Sequence, residues 1–231
     1  MRRFWKLCRY AVLALVAALA VYEGWVLARI AWWIEHDPGA TPLMARRADE
    51  LRSRGSKTAI EHRWIRYERI SANLKRAIVV AEDAKFLDHE GFDWAGIQQA
   101  MEKNRKRGKI VAGGSTITQQ LAKNLFLSSE RSLARKAQET LITVALEALM
   151  SKRRILEIYL NVAEWGEGIF GAEAAARHYF GVGAGALSAE QAARLAAMLP
   201  RPRYYERNRG SIYLAQYAQR ILARLPSAQV P

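Results

Sequence analysis

An uncharged run of thirteen residues, Tyr10 to Tyr22, limits this chain more than any other feature. Arg2, Arg3, Lys6 and Arg9 precede it, and Trp5 and Trp25 stand twenty positions apart. Twenty helical residues rise about 30 Å, the thickness of a bilayer's hydrocarbon core, with an aromatic ring at each face. Glu23 falls near the far interface, where a charge costs less than at the bilayer centre. The pattern predicts a basic tail over 1–9 and a membrane-spanning helix over 10–34. By the positive-inside tendency the tail stays in the cytoplasm and the rest of the chain lies outside. Ala18-Leu19-Ala20 also fits a signal-peptide cleavage site. Apolar character persisting through Trp25-Val26-Leu27 and Ile30 to Ile34 favours an uncleaved anchor.

Charge carries the argument outward. The 231 residues contain 36 Lys and Arg against 22 Asp and Glu, a formal charge of +14. Residues 1–33 hold five bases and one acid, a surplus of four, so the remainder carries +10. An exported basic surface next to a membrane meets lipid headgroups and lipid-linked phosphates, not nucleic acid. Cys8, the single cysteine, excludes an internal disulfide and any multi-cysteine metal site.

Beyond the anchor, His36 to Thr41 and Pro42 are rich in chain breakers, and residues 35–60 read as a linker with a short charged helix from Leu43 to Arg54. Residues 61–231 form the main domain. Glu61 to Tyr67 alternates like a short extended segment. Helical spacing then marks 72–83, 92–101, 132–150, 152–161, 172–180, 189–199 and 212–225. Ser188 to Gln191 has the form of a capping box. The basic run Lys103 to Lys109 reads as a mobile, solvated loop. Strand signals are scarce, so the fold class is mainly α.

Two stretches hold the chemistry. In Val79-Val80-Ala81-Glu82-Asp83-Ala84-Lys85-Phe86-Leu87-Asp88-His89-Glu90-Gly91, an apolar helix ends in adjacent acids. Glu82 falls in the last turn, where the helix dipole and burial both disfavour its charge. That moves a carboxyl toward the range of a general base, although a capping or ion-paired acid has the same appearance. His89 either shapes this loop or transfers protons. The second stretch, Gly113-Gly114-Ser115-Thr116-Ile117-Thr118-Gln119-Gln120-Leu121-Ala122-Lys123-Asn124, is a glycine turn before a helix that Ser115 or Thr116 can cap. It lacks the P-loop spacing. Downstream, Arg131, Arg135 and Glu139 repeat every four residues with Lys136 beside them. Such an array is either a salt-bridge ladder or a guanidinium cluster for phosphate.

In this order the blocks resemble the glycosyltransferase family that polymerises peptidoglycan from lipid II. The resemblance extends through Lys152 to Gly171, Tyr179-Phe180-Gly181 and Leu195 to Pro200, and it spans about Ile70 to Tyr204. The wording Asn161-Val162-Ala163-Glu164-Trp165-Gly166 is closest to the monofunctional members, and no Ser-x-x-Lys or Lys-Thr-Gly transpeptidase motif occurs. The resemblance implies a lysozyme-like helical domain with a smaller membrane-facing lobe, single-pass in a bacterial inner membrane, its catalytic part extracytoplasmic. It implies Glu82 as general base and Glu139 as the acid that assists diphosphate departure, directly, through a basic neighbour or through Mg²⁺ or Mn²⁺. Lys123, Arg131, Arg135 and Lys136 would hold the diphosphate. Ser115, Thr116, Gln119, Gln120, Asp83 and Asn124 would complete the substrate site. The partners implied are lipid II, the growing lipid-linked glycan, membrane lipids and other cell-wall synthesis proteins. Two other functions fit parts of the chain: a lytic glycosidase, which also uses a glutamate, and a membrane-anchored basic binding protein. The basic cluster weighs against the glycosidase, because cutting a neutral glycosidic bond requires no diphosphate site.

Overall fold

The computed structural model describes residues 1–109, 113–127 and 132–231, the Arg2 side chain excepted. It separates into two compact units, Met1–His36 and Asp37–Pro231.

The first unit is one helix, α1 (Arg2–Glu35). Its 34 residues extend about 50 Å at 1.5 Å per residue. It is long and apolar enough to cross a membrane. Phe4, Trp5, Leu7, Leu13, Leu15, Val16 and Leu19 are all exposed, which suits an acyl-chain environment and not water. The basic tail expected over 1–9 is already helical.

The second unit is mainly helical, as expected. In chain order it contains α2 (Pro42–Ser53), the two-residue strand β1 (Glu61–His62), α3 (Ala72–Glu82), α4 (Trp94–Arg107), α5 (Ile117–Phe126), α6 (Leu133–Leu149) and α7 (Lys152–Val162). A short hairpin of β2 (Glu164–Gly166) and β3 (Ile169–Phe170) follows, then α8 (Ala172–Phe180), α9 (Ala189–Met198), α10 (Pro202–Arg207) and α11 (Ile212–Arg224). Side-chain oxygens of Thr41, Ser71, Asp93, Thr116, Ser132, Ser151, Ser188 and Ser211 cap eight of these helices, so local chemistry sets their starts.

Two features depart from the sequence reading. The expected loop at 103–109 is largely helix, since α4 continues to Arg107. Lys and Arg are good helix formers, and Arg105, Lys106 and Arg107 in the last turn complement the negative dipole end. Gly108, left-handed at φ +62°, ends the helix. The other departure is the hairpin of β2 and β3, which joins β1, inside the expected extended segment, in a small sheet ordered β1-β3-β2, with β1 parallel to β3 and β2 antiparallel to it. Strands of two or three residues carry too little alternation to be read from sequence.

Asn161, fully buried, ties the segment that follows β1 to α7. Its Nδ2 donates to the carbonyls of Ile65 (2.9 Å) and Glu157 (2.8 Å), and its Oδ1 accepts from the Ile65 N–H (2.8 Å). Gly171 passes so close that a Cβ there would sit 2.7 Å from the Asn161 carbonyl oxygen, at a φ of +84°. Only glycine fits both constraints. Around this joint, α3 and α11 pack against α9, while α5 packs against α6 and α7. Trp165, Tyr159, Phe86 and Phe170 are the largest side chains of the resulting core.

Candidate active site

The loop after α3 is stapled to the start of α5. Asp83 is buried and uses both carboxylate oxygens: Oδ1 accepts from His89 Nε2 (2.9 Å) and Oδ2 from the Ile117 N–H (3.0 Å). The Gly91 N–H donates to His89 Nδ1 (3.1 Å), which leaves Nε2 as the ring's donor. Thr116 donates to the Gly91 carbonyl (2.7 Å) and accepts from the Gln119 N–H, while Gln119 Oε1 accepts from the Thr116 N–H in a reciprocal capping box. Lys152 closes the loop from α7, donating to the His89 carbonyl (2.6 Å) and to Glu147 (2.8 Å). The His89 ring therefore bonds only within this loop among the described residues, and its partner carboxylate is Asp83, not Glu82.

Glu82, the last residue of α3, stands next to this staple. Its Oε2 accepts a 2.7 Å hydrogen bond from Gln120 Nε2, and the Gln120 Oε1 accepts one from the Tyr159 hydroxyl (2.9 Å). Glu82 Oε1 is shielded from water and has no hydrogen-bond partner among the described residues. Burial pushes the Glu82 carboxyl up; the Gln120 bond and the Lys123 charge oppose this, and Asp83 adds to it. A buried carboxylate with one oxygen unused is poorly solvated and basic.

Beside Glu82 opens a cleft of about 640 Å³. Ser115, Gln119, Gln120, Lys123 and Asn124 line it from α5 and the residues before it, and Arg135, Lys136 and Glu139 line it from α6. Glu82, Asp83 and Thr116 are not among the lining residues, Glu82 meeting the lining through its bond with Gln120, and Arg131 lies outside the described residues. Glu139 is 4 % exposed, and both its oxygens are taken: Oε2 accepts from Arg135 Nη1 (2.6 Å) and Oε1 from Lys136. Lys123 has no ion pair within 4.0 Å among the described residues, and its exposed surface opens into the cleft. The surrounding protein still disfavours its ammonium and lowers its pKa; Glu139 and Glu82 oppose that, whereas Arg135 and Lys136 reinforce it. Glu82 and Glu139 are 57 positions apart in the chain, and one lysine feels both.

The arrangement does not suit a divalent cation on Glu139. A metal there would have to displace two cations from a buried carboxylate. The cleft instead presents three cations toward one region, a setting for an anion.

The lining also contains residues that the sequence reading passed over. Arg46 and Arg47 of α2 and Glu164 of β2 also line the cleft. Arg47 donates to Glu164 Oε2 through Nε (3.1 Å) and Nη2 (3.0 Å) and to Glu50 through Nη1 (2.7 Å). Arg203 approaches both acids. The Arg46-Arg47 pair sits in a charged helix with no sequence mark of a site, and Glu164 is 117 residues from Arg47, so only folding reveals their pairing.

Comparison with known proteins places the chain in a family. A family model described as Transglycosylase matches residues 49–226. A biosynthetic peptidoglycan transglycosylase of Azoarcus sp. is 55 % identical over 231 residues, 100 % of each chain. One of Nitrosospira multiformis is 54 % identical over 230 residues, covering 100 % of this chain and 98 % of the other. One of Dechloromonas aromatica is 56 % identical over 220 residues, 95 % of each.

Proposed function

We propose the reaction from one premise: this chain belongs to the transglycosylase family, and it is a peptidoglycan glycosyltransferase. It polymerises lipid II into linear β-1,4 glycan strands and is held at the membrane by α1, with the basic tail cytoplasmic and residues 61–231 outside. The observation that carries the mechanism is the pairing, across one lysine, of a poorly solvated carboxylate with a cationic cleft. Glu82 takes the proton from the 4-hydroxyl of the acceptor GlcNAc. That oxygen attacks the anomeric carbon of the MurNAc at the reducing end of the growing chain, with inversion. The bond from that carbon to the diphosphate oxygen breaks, and undecaprenyl diphosphate leaves with the electron pair.

Each half of the cleft serves one half of this step. A hydroxyl is a weak nucleophile, so a base with a raised pKa contributes at the transition state. The departing diphosphate gathers negative charge, which Lys123, Arg135 and Lys136 stabilise from fixed positions. Arg131, outside the described residues, is assigned to the same role from its four-residue spacing to Arg135 in the sequence. Glu139 acts by fixing Arg135 and Lys136, since its own oxygens are already bonded to them. Ser115, Gln119 and Asn124 contact the sugars or phosphates along the wall, while Asp83 and Thr116 hold the loop from behind.

The deciding experiment incubates the purified full-length protein in detergent with labelled lipid II and, separately, with isolated sacculi. Polymer from the first with no soluble fragments from the second is expected. Fragments without polymer would instead establish a lytic glycosidase.

The pH dependence of kcat/KM follows from the two shifts. Glu82 must be ionised to accept a proton, so activity falls as pH drops through its raised pKa, and the acidic limb lies above the ordinary glutamate value of about 4.3. Lys123 must be charged, so activity falls as pH rises through its lowered pKa, and the basic limb lies below the ordinary lysine value of about 10.4. A narrowed bell is expected. An acidic limb at the ordinary glutamate value would remove Glu82 from the role of base.

A further inference from the structure

Gln120 is bonded at both ends of its amide, and the second bond has a consequence for the first. A glutamine amide has nearly the same shape in its two flipped orientations, so only its neighbours decide which end faces Glu82. With Nε2 toward Glu82, the carboxylate receives a charge-assisted hydrogen bond. With Oε1 toward Glu82, two acceptors would face each other unless Glu82 held a proton. At its other end Gln120 meets Tyr159, which is 1 % exposed and whose hydroxyl has no other hydrogen-bond partner among the described residues. That phenol, buried and close to the Glu82 and Asp83 carboxylates, resists ionisation and remains a donor. In the flipped orientation its proton would lose that acceptor, and the phenol is too deeply set for water to replace it freely.

We propose that Tyr159 is a positioning residue for the base: its hydroxyl pins the Gln120 amide with the N–H toward Glu82 and stops it from flipping. The inference rests on the reading of Glu82 as the base. It adds that α7 controls, through α5, the hydrogen bond that the base receives. Without the pin, Gln120 samples the orientation that favours a protonated Glu82. The remaining groups facing Glu82 do not depend on Tyr159: Asp83 follows it in the chain, Lys123 faces it from α5, and Tyr217 of α11 donates to the neighbouring Ala81 carbonyl (3.2 Å).

The test uses the full-length protein with lipid II and compares Tyr159→Phe, Gln120→Ala and the double variant. Tyr159→Phe retains the buried ring and removes only the hydroxyl. Its kcat is expected to fall about tenfold with KM unchanged, the size of effect a single hydrogen bond can have on a rate. The acidic limb of its pH profile moves upward. In the Gln120→Ala background the same change alters kcat by less than about twofold, because a residue acting through Gln120 has nothing left to act on. A parental pH profile in Tyr159→Phe, or additive losses in the double variant, would overturn the proposal. Fluorotyrosine at position 159 guards against a folding defect: a stronger donor of nearly the same shape should move the acidic limb downward, and an unmoved limb counts against the proposal. The two readings fail separately. Glu82→Gln with normal polymerisation refutes the base itself, whereas an inactive Glu82→Gln with additive Tyr159 and Gln120 effects refutes only the pin.

Discussion

Glu82→Gln is expected to fold, to bind lipid II near normally and to polymerise it about 10²–10⁴-fold more slowly, the usual contribution of a general base. Glutamine preserves the shape of the side chain, and its carbonyl oxygen can still accept the Gln120 hydrogen bond. What it lacks is a place for the proton of the attacking hydroxyl. The variant should also be more stable than the parent. The native carboxylate is disfavoured by burial and leaves Oε1 without a partner, so replacing it with a neutral amide relieves a poorly solvated charge. A gain near 1 kcal/mol would raise the melting temperature by about 2–4 °C in a domain of this size. Loss of polymer together with a higher Tm separates a catalytic carboxylate from a structural one, which would lose stability on the same change. Polymerisation within a factor of two of the parent would end the assignment.

Lys123→Ala is expected to lower kcat/KM by about 10²–10³-fold, comparable to removing one donor from a site of developing negative charge. The fold should tolerate the change. Lys123 has no ion pair among the described residues, and its free surface lies in the cleft. Removing it should therefore leave the unfolding midpoint nearly unchanged while flattening the basic limb of the pH profile. Lys123→Arg should restore part of the rate by returning the charge. Full restoration is not expected, because a planar guanidinium does not reproduce the compact ammonium charge in a confined wall. Normal turnover in Lys123→Ala would remove it from the diphosphate site. The contrast with Arg135 and Lys136 is instructive, since those cations are held by Glu139 and cannot be altered without leaving a buried carboxylate underpaired.

Much of the fold was visible in the residues. Helices announced by cap residues and apolar spacing appear within one or two positions of their expected ends; 172–180 is an instance in which both ends agree. Local rules suffice there because a cap and an apolar face lie within a few residues of each other. They failed at α4, where a run of positive charge looked like a loop but has good helix propensity and a favourable dipole position. They also missed α10 and the hairpin of β2 and β3, whose stability comes from what they pack against and not from their own pattern, although β1 falls inside the expected extended segment.

The site divides along the same line. From the linear chain alone come the long apolar helix, the excess of positive charge beyond it, the dense blocks around Glu82 and Gly113, and through them the candidate acids and bases. All of these depend on residue type and short spacing. Tertiary structure alone brings Lys123 into the electrostatic reach of both Glu82 and Glu139, commits Asp83 and His89 to each other, pairs Arg47 with Glu164, and links Tyr159 to Glu82 through Gln120. Those pairings join residues up to 117 positions apart. Hydrogen bonds and charge pairs act over a few ångströms and take no account of distance along the chain, so they exist only once the helices have packed.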